Sequence, residues 1–437
     1  MGRREWTRGD LNPRPLLCES SDLPLIYVPT PFSAPSVPLN GLGQIQSPPS
    51  PTAPSRAADP SSGPMPYRSL TVERLELRLV EPFETSFGIE RRRQFLLVSL
   101  QGTDGHIGWG ECVATRDPLY NEESTGTAWW FLQENVVPRW RRDPPTDVDE
   151  IRALVRPFRA NRMAKAALEQ AAIDLEARRA NRSLSRWFGA RRRRIAVGVS
   201  VGKQPTPAAL VRRVGAYLED GYRRIKVKVM PGWDVAPLAA LRRAYPEIEL
   251  WVDANQGYPP SAAGAIRAWA ERYDVRQVEQ PFPERALLAH AALAKGAHFR
   301  VCLDESVVDP ESLEEALQLR AIQSLNVKAG RVGGPLEGIS LARRAVRSGA
   351  VAWVGGMLES GIGRAHSVAL ASHPVFGLPG DISASARYYR DEILERPFLL
   401  NADGTIDVPT GAGIGVDLDP RAHTRAVRRR KSYSLSR

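Results

Sequence analysis

The sequence predicts an α/β protein in which a modified TIM barrel of the (β/α)7β type carries a smaller α+β capping domain. Five charged residues recur 24 to 26 residues apart, and each ends a short apolar run: Lys228, Asp253, Glu279, Asp304 and Lys328. In a barrel of about 250 residues, one strand, one helix and two loops occupy that length. Strand ends of such a barrel converge on one face, so we expect these five side chains at one barrel mouth.

From Ile195 onward, strand patterns alternate with helical segments rich in Ala, Leu and Arg. This alternation indicates parallel strands joined by right-handed crossovers. A faint eighth strand is expected around residues 375–378, and we assign the barrel to residues 191–384. The seven clear strand candidates are IAVGVSV, RIKVKV, ELWVD, VRQVE, RVCLD, SLNVK and AVAWVGG.

Residues 65–190 are predicted to form the α+β capping domain. Between residues 70 and 114, three β-patterned runs separated by turns predict an antiparallel meander. A helix is predicted over residues 162–180, where apolar positions share one stripe. Residues 385–420 return to short β-like pieces that we expect to pack against this domain, and residues 421–437 are a basic tail.

The remaining 64 residues are rich in Pro, Ser and Gly and show no sustained periodicity. We expect residues 1–64 to be disordered or a non-native extension, with Met65 as the start of the folded protein. No run of about 18 apolar residues indicates a membrane span, and polar residues interrupt any secretory leader. The three scattered cysteines favour reduced thiols and a cytoplasmic location.

The net charge of +11 raises the possibility of a nucleic-acid partner. Without a nucleic-acid fold motif, a basic balance supports only nonspecific attraction, so we predict no nucleic acid as partner. Only seven of the 60 basic residues are lysines, and three of those are Lys226, Lys228 and Lys328. Since a lysine can lose its proton and act as a base whereas an arginine cannot, this distribution favours a chemical requirement at the strand ends.

Three carboxylates at successive strand ends predict a metal site. Asp253, Glu279 and Asp304 supply hard anionic oxygens, which suit Mg²⁺ (or Mn²⁺) completed by water and substrate. Zinc is disfavoured because no His or Cys joins the set. The alternative is that each acid caps the following helix or pairs with an arginine. Because three acids stand at successive strand ends, the metal site is favoured.

Lysines flank these acids on two sides. Lys226 and Lys228 alternate on one strand and both point into the barrel, and Lys328 lies four strands on. The alternative is structural salt bridges to the same acids. A metal with lysines on either side fits abstraction of the proton α to a carboxylate, with the metal stabilising the enediolate and a lysine of lowered pKa as base.

The flanking motifs are similar to those of a known family: RIKVKVMPGWD (224–234), WVDANQGY (251–258), VEQPFP (278–283), CLDES (302–306), NVKAGRVGG (326–334) and GGMLESGIGRAHSVALASHP (355–374). Over roughly residues 66–400 the chain resembles the enolase superfamily, muconate-lactonizing subgroup. The resemblance is strongest to the o-succinylbenzoate synthase / N-acylamino acid racemase family.

The resemblance implies a role for each lysine. Lys228 would be the general base, and Lys226 would adjust it and meet the substrate carboxylate. Lys328 would stabilise the enolate on the opposite face or act as a second acid/base. The Mg²⁺ ligands would be Asp253, Glu279 and Asp304.

The resemblance also implies substrate contacts from six residues: Ser200, Gly356, Met357, Arg331, Thr85 and Ser86. The first three would contact a succinyl group. Arg331 would adjust Lys328 from one turn away, with an ordinary surface arginine as the alternative. The loop 85–89 would fold over the mouth and select the substrate, or would be a plain hairpin connection.

The favoured reaction is the dehydration of 2-succinyl-6-hydroxy-2,4-cyclohexadiene-1-carboxylate to 2-succinylbenzoate, a step in menaquinone biosynthesis. The first alternative is an N-succinylamino acid racemase or a dual activity, which needs both lysines. A dipeptide epimerase is less favoured because Asp381-Ile382-Ser383 departs from the expected Asp-x-Asp. A different class is a noncatalytic binding protein acting through its basic tail. We expect a small-molecule carboxylate substrate and a possible homo-oligomer.

Overall fold

The computed structural model describes residues 66–435, and these form a cap domain and a barrel. The predicted extension of residues 1–64 lies outside the described residues. No helix of the described part is long and apolar enough to cross a membrane.

The cap begins with three long strands, as the β patterns predict. Its elements are β1 (Tyr67–Thr85), β2 (Gly88–Gly102), β3 (Ile107–Cys112), α1 (Thr125–Phe131), α2 (Val137–Arg142), α3 (Val148–Val155), α4 (Arg162–Arg179) and α5 (Leu184–Trp187). The strands form an antiparallel sheet in which β2 lies between β1 and β3. Helix α4 lies directly against β3, since a Cβ atom at Gly110 would come within 2.0 Å of the Ala167 carbonyl oxygen.

The barrel follows as alternating strands and helices. Its elements are β4 (Arg194–Ala196), β5 (Gly198–Val201), α6 (Pro207–Glu219), β6 (Arg224–Lys228), α7 (Val235–Ala244), β7 (Glu249–Asp253), α8 (Ala263–Arg272), β8 (Gln277–Glu279), α9 (Leu287–Ala294), β9 (Arg300–Leu303), α10 (Pro310–Gln318), β10 (Ser324–Val327), α11 (Ala329–Val332), α12 (Pro335–Arg347), β11 (Val351–Val354) and α13 (Gly361–Ala371). Strands β5 to β11 form one parallel sheet in chain order, which confirms the predicted fold class.

A short extended segment closes this sheet. The Gly377 and Asp381 N–H groups donate to carbonyls of β11, and the Gly198 N–H of β5 donates to the Gly380 carbonyl. The predicted strand at 375–378 does not form: the extended segment 377–381 takes the eighth position through these hydrogen bonds and one isolated bridge between Val197 and Gly380. Residues 372–375 still belong to the turn after α13, where Pro374 is exposed and Val375 is half-buried.

The C-terminal segment returns to the cap through β12 (Thr405–Asp407), α14 (Pro420–Ala426) and β13 (Val427–Ser434). Strand β12 pairs with β4, and β13 pairs antiparallel with β1 as the edge of the cap sheet. The prediction of a basic tail at residues 421–437 is therefore wrong for residues 421–435, which belong to the fold. Most β13 side chains are exposed, so the strand has no apolar alternation to reveal it.

Candidate active site

Strand pairing brings the ladder of charged residues together. Lys228 is in register with Asp253 across β6 and β7, and Asp253 is in register with Glu279 across β7 and β8. Asp304 and Lys328 directly follow β9 and β10. All five side chains are buried at the end of the barrel that faces the cap.

Lys228 is held by two acceptors. Its Nζ donates to Asp253 Oδ2 at 2.7 Å and to Asn255 Oδ1 at 2.5 Å. The Asn255 side chain is itself fixed, because its Nδ2 donates to Glu305 Oε1 at 3.2 Å. Both hydrogen-bond acceptors of this lysine belong to the barrel, and the ring centroid of the cap residue Phe83 lies 5.9 Å from its Nζ.

Lys226 lies one layer deeper. Its Nζ is 2.7 Å from Glu279 Oε2, 3.1 Å from Asp253 Oδ2 and 2.5 Å from Asp381 Oδ2. Asp381 also pairs with the buried Arg224 at 2.5 Å. Lys226 is thus surrounded by three carboxylates, and this network forms the floor of the site.

Lys328 occupies the other side. Its Nζ donates to Asp304 Oδ2 at 2.6 Å and lies 4.7 Å from the ring centroid of Tyr120, a cap residue. Arg331 is buried and donates to Asp304, so the surface alternative for this arginine is wrong. Arg331 and Lys328 both pair with Asp304, and Arg331 does not line the cavity described below.

The electrostatics of the site follow from burial opposed by pairing. Although burial opposes the change, Lys228 and Lys226 hold the pKa of Asp253 well below its usual range. Burial and the neighbouring Asp253 raise the pKa of Glu279 to about 7. Against burial, the neighbouring Asp304 carboxylate raises the pKa of Lys328.

Within residues 66–435, no three His, Cys, Asp or Glu side chains are arranged to hold a metal ion, because lysines pair with the ladder carboxylates. The donor set nevertheless fits a hard divalent cation. It consists of carboxylate oxygens at neighbouring strand ends, and Asn326 Oδ1 and Glu305 Oε2 are buried beside them without a hydrogen-bond partner. Mg²⁺ bound there would compete with the ion pairs and lower the lysine pKa values.

A cavity of about 280 Å³ lies between the barrel mouth and the cap. Its wall includes both ladder lysines as well as Lys226 and Asp253. Of the predicted substrate contacts, Ser200, Gly356, Met357 and Thr85 line it. Ser86 does not, because its hydroxyl donates to the Asn255 carbonyl oxygen at 2.6 Å. The loop 85–89 is the β1–β2 hairpin turn, and this contact seats it over the mouth.

Sequence reasoning missed three residues of the site. Asn255 stands two positions after Asp253, just beyond the end of β7, so a polar residue this close to a predicted ligand is a usable signal. Asp381 entered the sequence analysis only as the first residue of an incomplete Asp-x-Asp motif, but its carboxylate forms an ion pair with Lys226. Tyr120 has no sequence signal, because it lies in a cap loop 208 positions from the lysine it contacts.

A capped (β/α)7β barrel with lysines on both sides of a carboxylate cluster is typical of enzymes that remove a proton from carbon. Residues 68–189 match the family model of the mandelate racemase / muconate lactonizing enzyme N-terminal domain, and residues 209–422 match the enolase C-terminal domain-like model.

Individual relatives cover most of the chain. The N-succinylamino acid racemase of Amycolatopsis sp is 41% identical over 353 residues, 80% of this chain and 95% of that protein. The o-succinylbenzoate synthase of Geobacillus stearothermophilus is 40% identical over 347 residues, 79% and 92% respectively. A solved enolase superfamily member from Listeria innocua superposes with a TM-score of 0.80 at 34% identity, covering 85% of this chain and 99% of that one. The chain belongs to the enolase superfamily and, within it, to the o-succinylbenzoate synthase / N-acylamino acid racemase family.

Proposed function

We propose that this enzyme is an o-succinylbenzoate synthase, which dehydrates 2-succinyl-6-hydroxy-2,4-cyclohexadiene-1-carboxylate to 2-succinylbenzoate in menaquinone biosynthesis. The single observation that carries the proposal is one cavity lined by both Lys228 and Lys328, with Asp253 in its wall. Relatives with the synthase name at 36–40% identity support the choice of substrate.

The chain's own residues account for the proton steps. The Lys228 amine takes the proton from the ring carbon that bears the carboxylate, and Asn255 keeps that amine aimed at the cavity. The electron pair of the broken C–H bond forms the new ring double bond as hydroxide leaves the neighbouring carbon. The leaving hydroxide takes up the proton carried by the Lys228 ammonium and departs as water, which returns the lysine to its amine form. The ring becomes aromatic, which drives the reaction.

Mg²⁺ is proposed as the cofactor, with Asp253, Glu279 and Asp304 as its ligands. When bound, it would stabilise the negative charge that develops on the substrate carboxylate. Lys226 lies against two of these carboxylates and would contribute positive charge beside the substrate carboxylate. Ser200 and the backbone at Gly356 and Met357 would contact the succinyl group.

The second candidate is N-succinylamino acid racemisation, alone or as a dual activity. It is favoured by the pseudo-symmetry of the site, in which Lys228 and Lys328 each donate to one carboxylate and both reach the cavity. Relatives with the racemase name at 41–42% identity are consistent with it. A dipeptide epimerase is disfavoured because Asp381 is already bound to Lys226 and Arg224.

The test is product formation from the purified diene with Mg²⁺, with EDTA, and with a Lys228→Ala variant. Lys295→Ala is the matched control, since Lys295 is exposed and far from the ladder in the fold. We expect 2-succinylbenzoate from the wild type and the control, and strong loss with EDTA or Lys228→Ala. An unchanged diene with the wild type contradicts the synthase, and no α-proton exchange of N-succinylamino acids in D₂O contradicts the racemase.

A further inference from the structure

Tyr120 is a cap residue that reaches into the barrel site. Its hydroxyl donates to Asp304 Oδ1 at 3.0 Å and accepts from Lys328 Nζ at 3.4 Å. The ammonium group also lies over the face of the phenol ring, 4.7 Å from its centroid, where the ring quadrupole attracts a cation. Tyr120 therefore contacts Lys328 both through its hydroxyl and through its ring.

The two ladder lysines differ in what holds them. Lys228 has two barrel acceptors, Asp253 and Asn255, and its contact with the cap is the more distant ring of Phe83, 5.9 Å from Nζ to the centroid. Among residues 66–435, Lys328 Nζ donates to only one barrel acceptor, Asp304, which Arg331 shares. Its second hydrogen bond goes to Tyr120, so the direction of Lys328 depends on a residue from the other domain.

The loop that carries Tyr120 is firmly anchored at its ends. The buried Glu123 carboxylate accepts the N–H groups of Met163 and Ala164 at 2.8 and 2.9 Å, at the start of α4. The Thr125 N–H donates to the Thr115 carbonyl across the base of the loop. These contacts fix the backbone within a few residues of Tyr120.

The ring of Tyr120 also contacts a second segment of the cap. Phe87, at the tip of the β1–β2 hairpin, packs against it at right angles with ring centroids 6.1 Å apart. The two cap segments over the mouth thus meet at this one side chain. A rotation of the phenol would break contacts with Asp304, Lys328 and Phe87 together.

We propose that Tyr120 is a positioning residue that aims the Lys328 amine at one face of the substrate α-carbon. Seating of the cap thereby controls the chemistry at the Lys328 face more strongly than at the Lys228 face, where both hydrogen bonds of the amine stay within the barrel. The proposal rests on the proposed function, since it requires that the enzyme acts on a carbon held between the two lysines. Small losses of alignment at a reacting group cost large rate factors.

The test measures α-proton exchange of each enantiomer of an N-succinylamino acid in D₂O, because each enantiomer presents its proton to a different lysine. Lys228→Ala and Lys328→Ala variants first assign the enantiomers to the lysines. We expect Tyr120→Leu to slow kcat for exchange at the Lys328 face about tenfold or more. Exchange at the Lys228 face should stay within about twofold, and Tyr120→Phe, which keeps the ring, should recover part of the loss.

Tyr258→Phe is the matched control. Tyr258 is a buried tyrosine whose hydroxyl also donates to a carboxylate, Asp234 Oδ2 at 2.9 Å, but it does not line the cavity. Equal losses at both faces in Tyr120→Leu, or no loss at either, would overturn the positioning role. If the wild type dehydrates the diene but exchanges neither enantiomer, the positioning role fails and the synthase stands. If it does neither, the proposed function fails and the positioning role falls with it.

Discussion

Removal of the Asn255 side chain perturbs the lysine that the proposed mechanism uses as its base. Asn255 Oδ1 lies 2.5 Å from Lys228 Nζ, and the other acceptor of that amine is Asp253, a proposed metal ligand. When Asp253 is committed to a metal, Asn255 is the acceptor that still aims Lys228. Asn255 has a φ of 41°, so glycine removes the side chain without adding backbone strain.

The magnitude follows from the lost hydrogen bond to Lys228; the other bond lost, from Asn255 Nδ2 to Glu305 Oε1, does not involve the base directly. A hydrogen bond from a charged group is worth about 1.5–3 kcal/mol, and about 1.4 kcal/mol corresponds to a tenfold change in rate. Asn255→Gly should therefore lower kcat/KM for the diene by roughly 10- to 150-fold. The loss should be larger for exchange at the Lys228 face than at the Lys328 face, because Tyr120 and Asp304 still hold the second lysine.

The assay is steady-state dehydration combined with enantiomer-resolved exchange in D₂O. Asn401→Gly is the control, since Asn401 Nδ2 donates to Thr405 Oγ1 in a C-terminal turn that does not line the cavity. A kcat/KM within about threefold of wild type for Asn255→Gly would refute the reasoning. Equal losses at both faces would refute the assignment of Asn255 to Lys228.

Three further predictions concern the cap and its contacts. Gly110→Ala places a Cβ 2.0 Å from the Ala167 carbonyl oxygen, so we expect the free energy of unfolding in urea to fall by about 3 kcal/mol or more. An unchanged unfolding midpoint would contradict this packing. Glu111 Oε2 accepts a hydrogen bond of 3.0 Å from the Gly363 N–H at the start of α13, next to the Gly356 loop, and Glu111→Gln weakens this bond. We therefore expect KM to rise about tenfold with a smaller change in kcat. An unaltered KM would contradict this role of Glu111. Burial raises the pKa of Glu169 from 4.5 to about 7, so the folded state binds the extra proton and stability falls as pH rises from about 4.5 to 7. The free energies of unfolding at pH 5 and pH 8 should differ less in Glu169→Gln than in the wild type, by up to about 3 kcal/mol. Equal pH dependence of the free energy of unfolding in the two proteins would exclude this.

The ladder was predictable because each of its strands is short, buried and ends in a charged residue at a nearly constant interval. Parallel strands in chain order then bring those ends to one mouth, as β6 to β10 do. The inward direction of Lys226 and Lys228 followed from their alternation on one strand. These features depend only on local periodicity and a fixed topology.

The other parts depend on packing between distant segments, which periodicity does not encode. Strand β13 exposes most of its side chains, so its basic letters resemble a tail although its backbone completes the cap sheet. The closing segment 377–381 makes only a few backbone bonds and has no apolar run of its own. Tyr120 joins the site because a cap loop is anchored by Glu123 on a helix of the same domain.

The central claim is that Lys228 removes the α-proton of the diene substrate. Its most direct test is the initial rate of 2-succinylbenzoate formation by Lys228→Ala and wild type, both with Mg²⁺ and with matched unfolding midpoints. We expect product from the wild type and a loss of about 100-fold or more in the variant. A variant that retains near wild-type activity would contradict it.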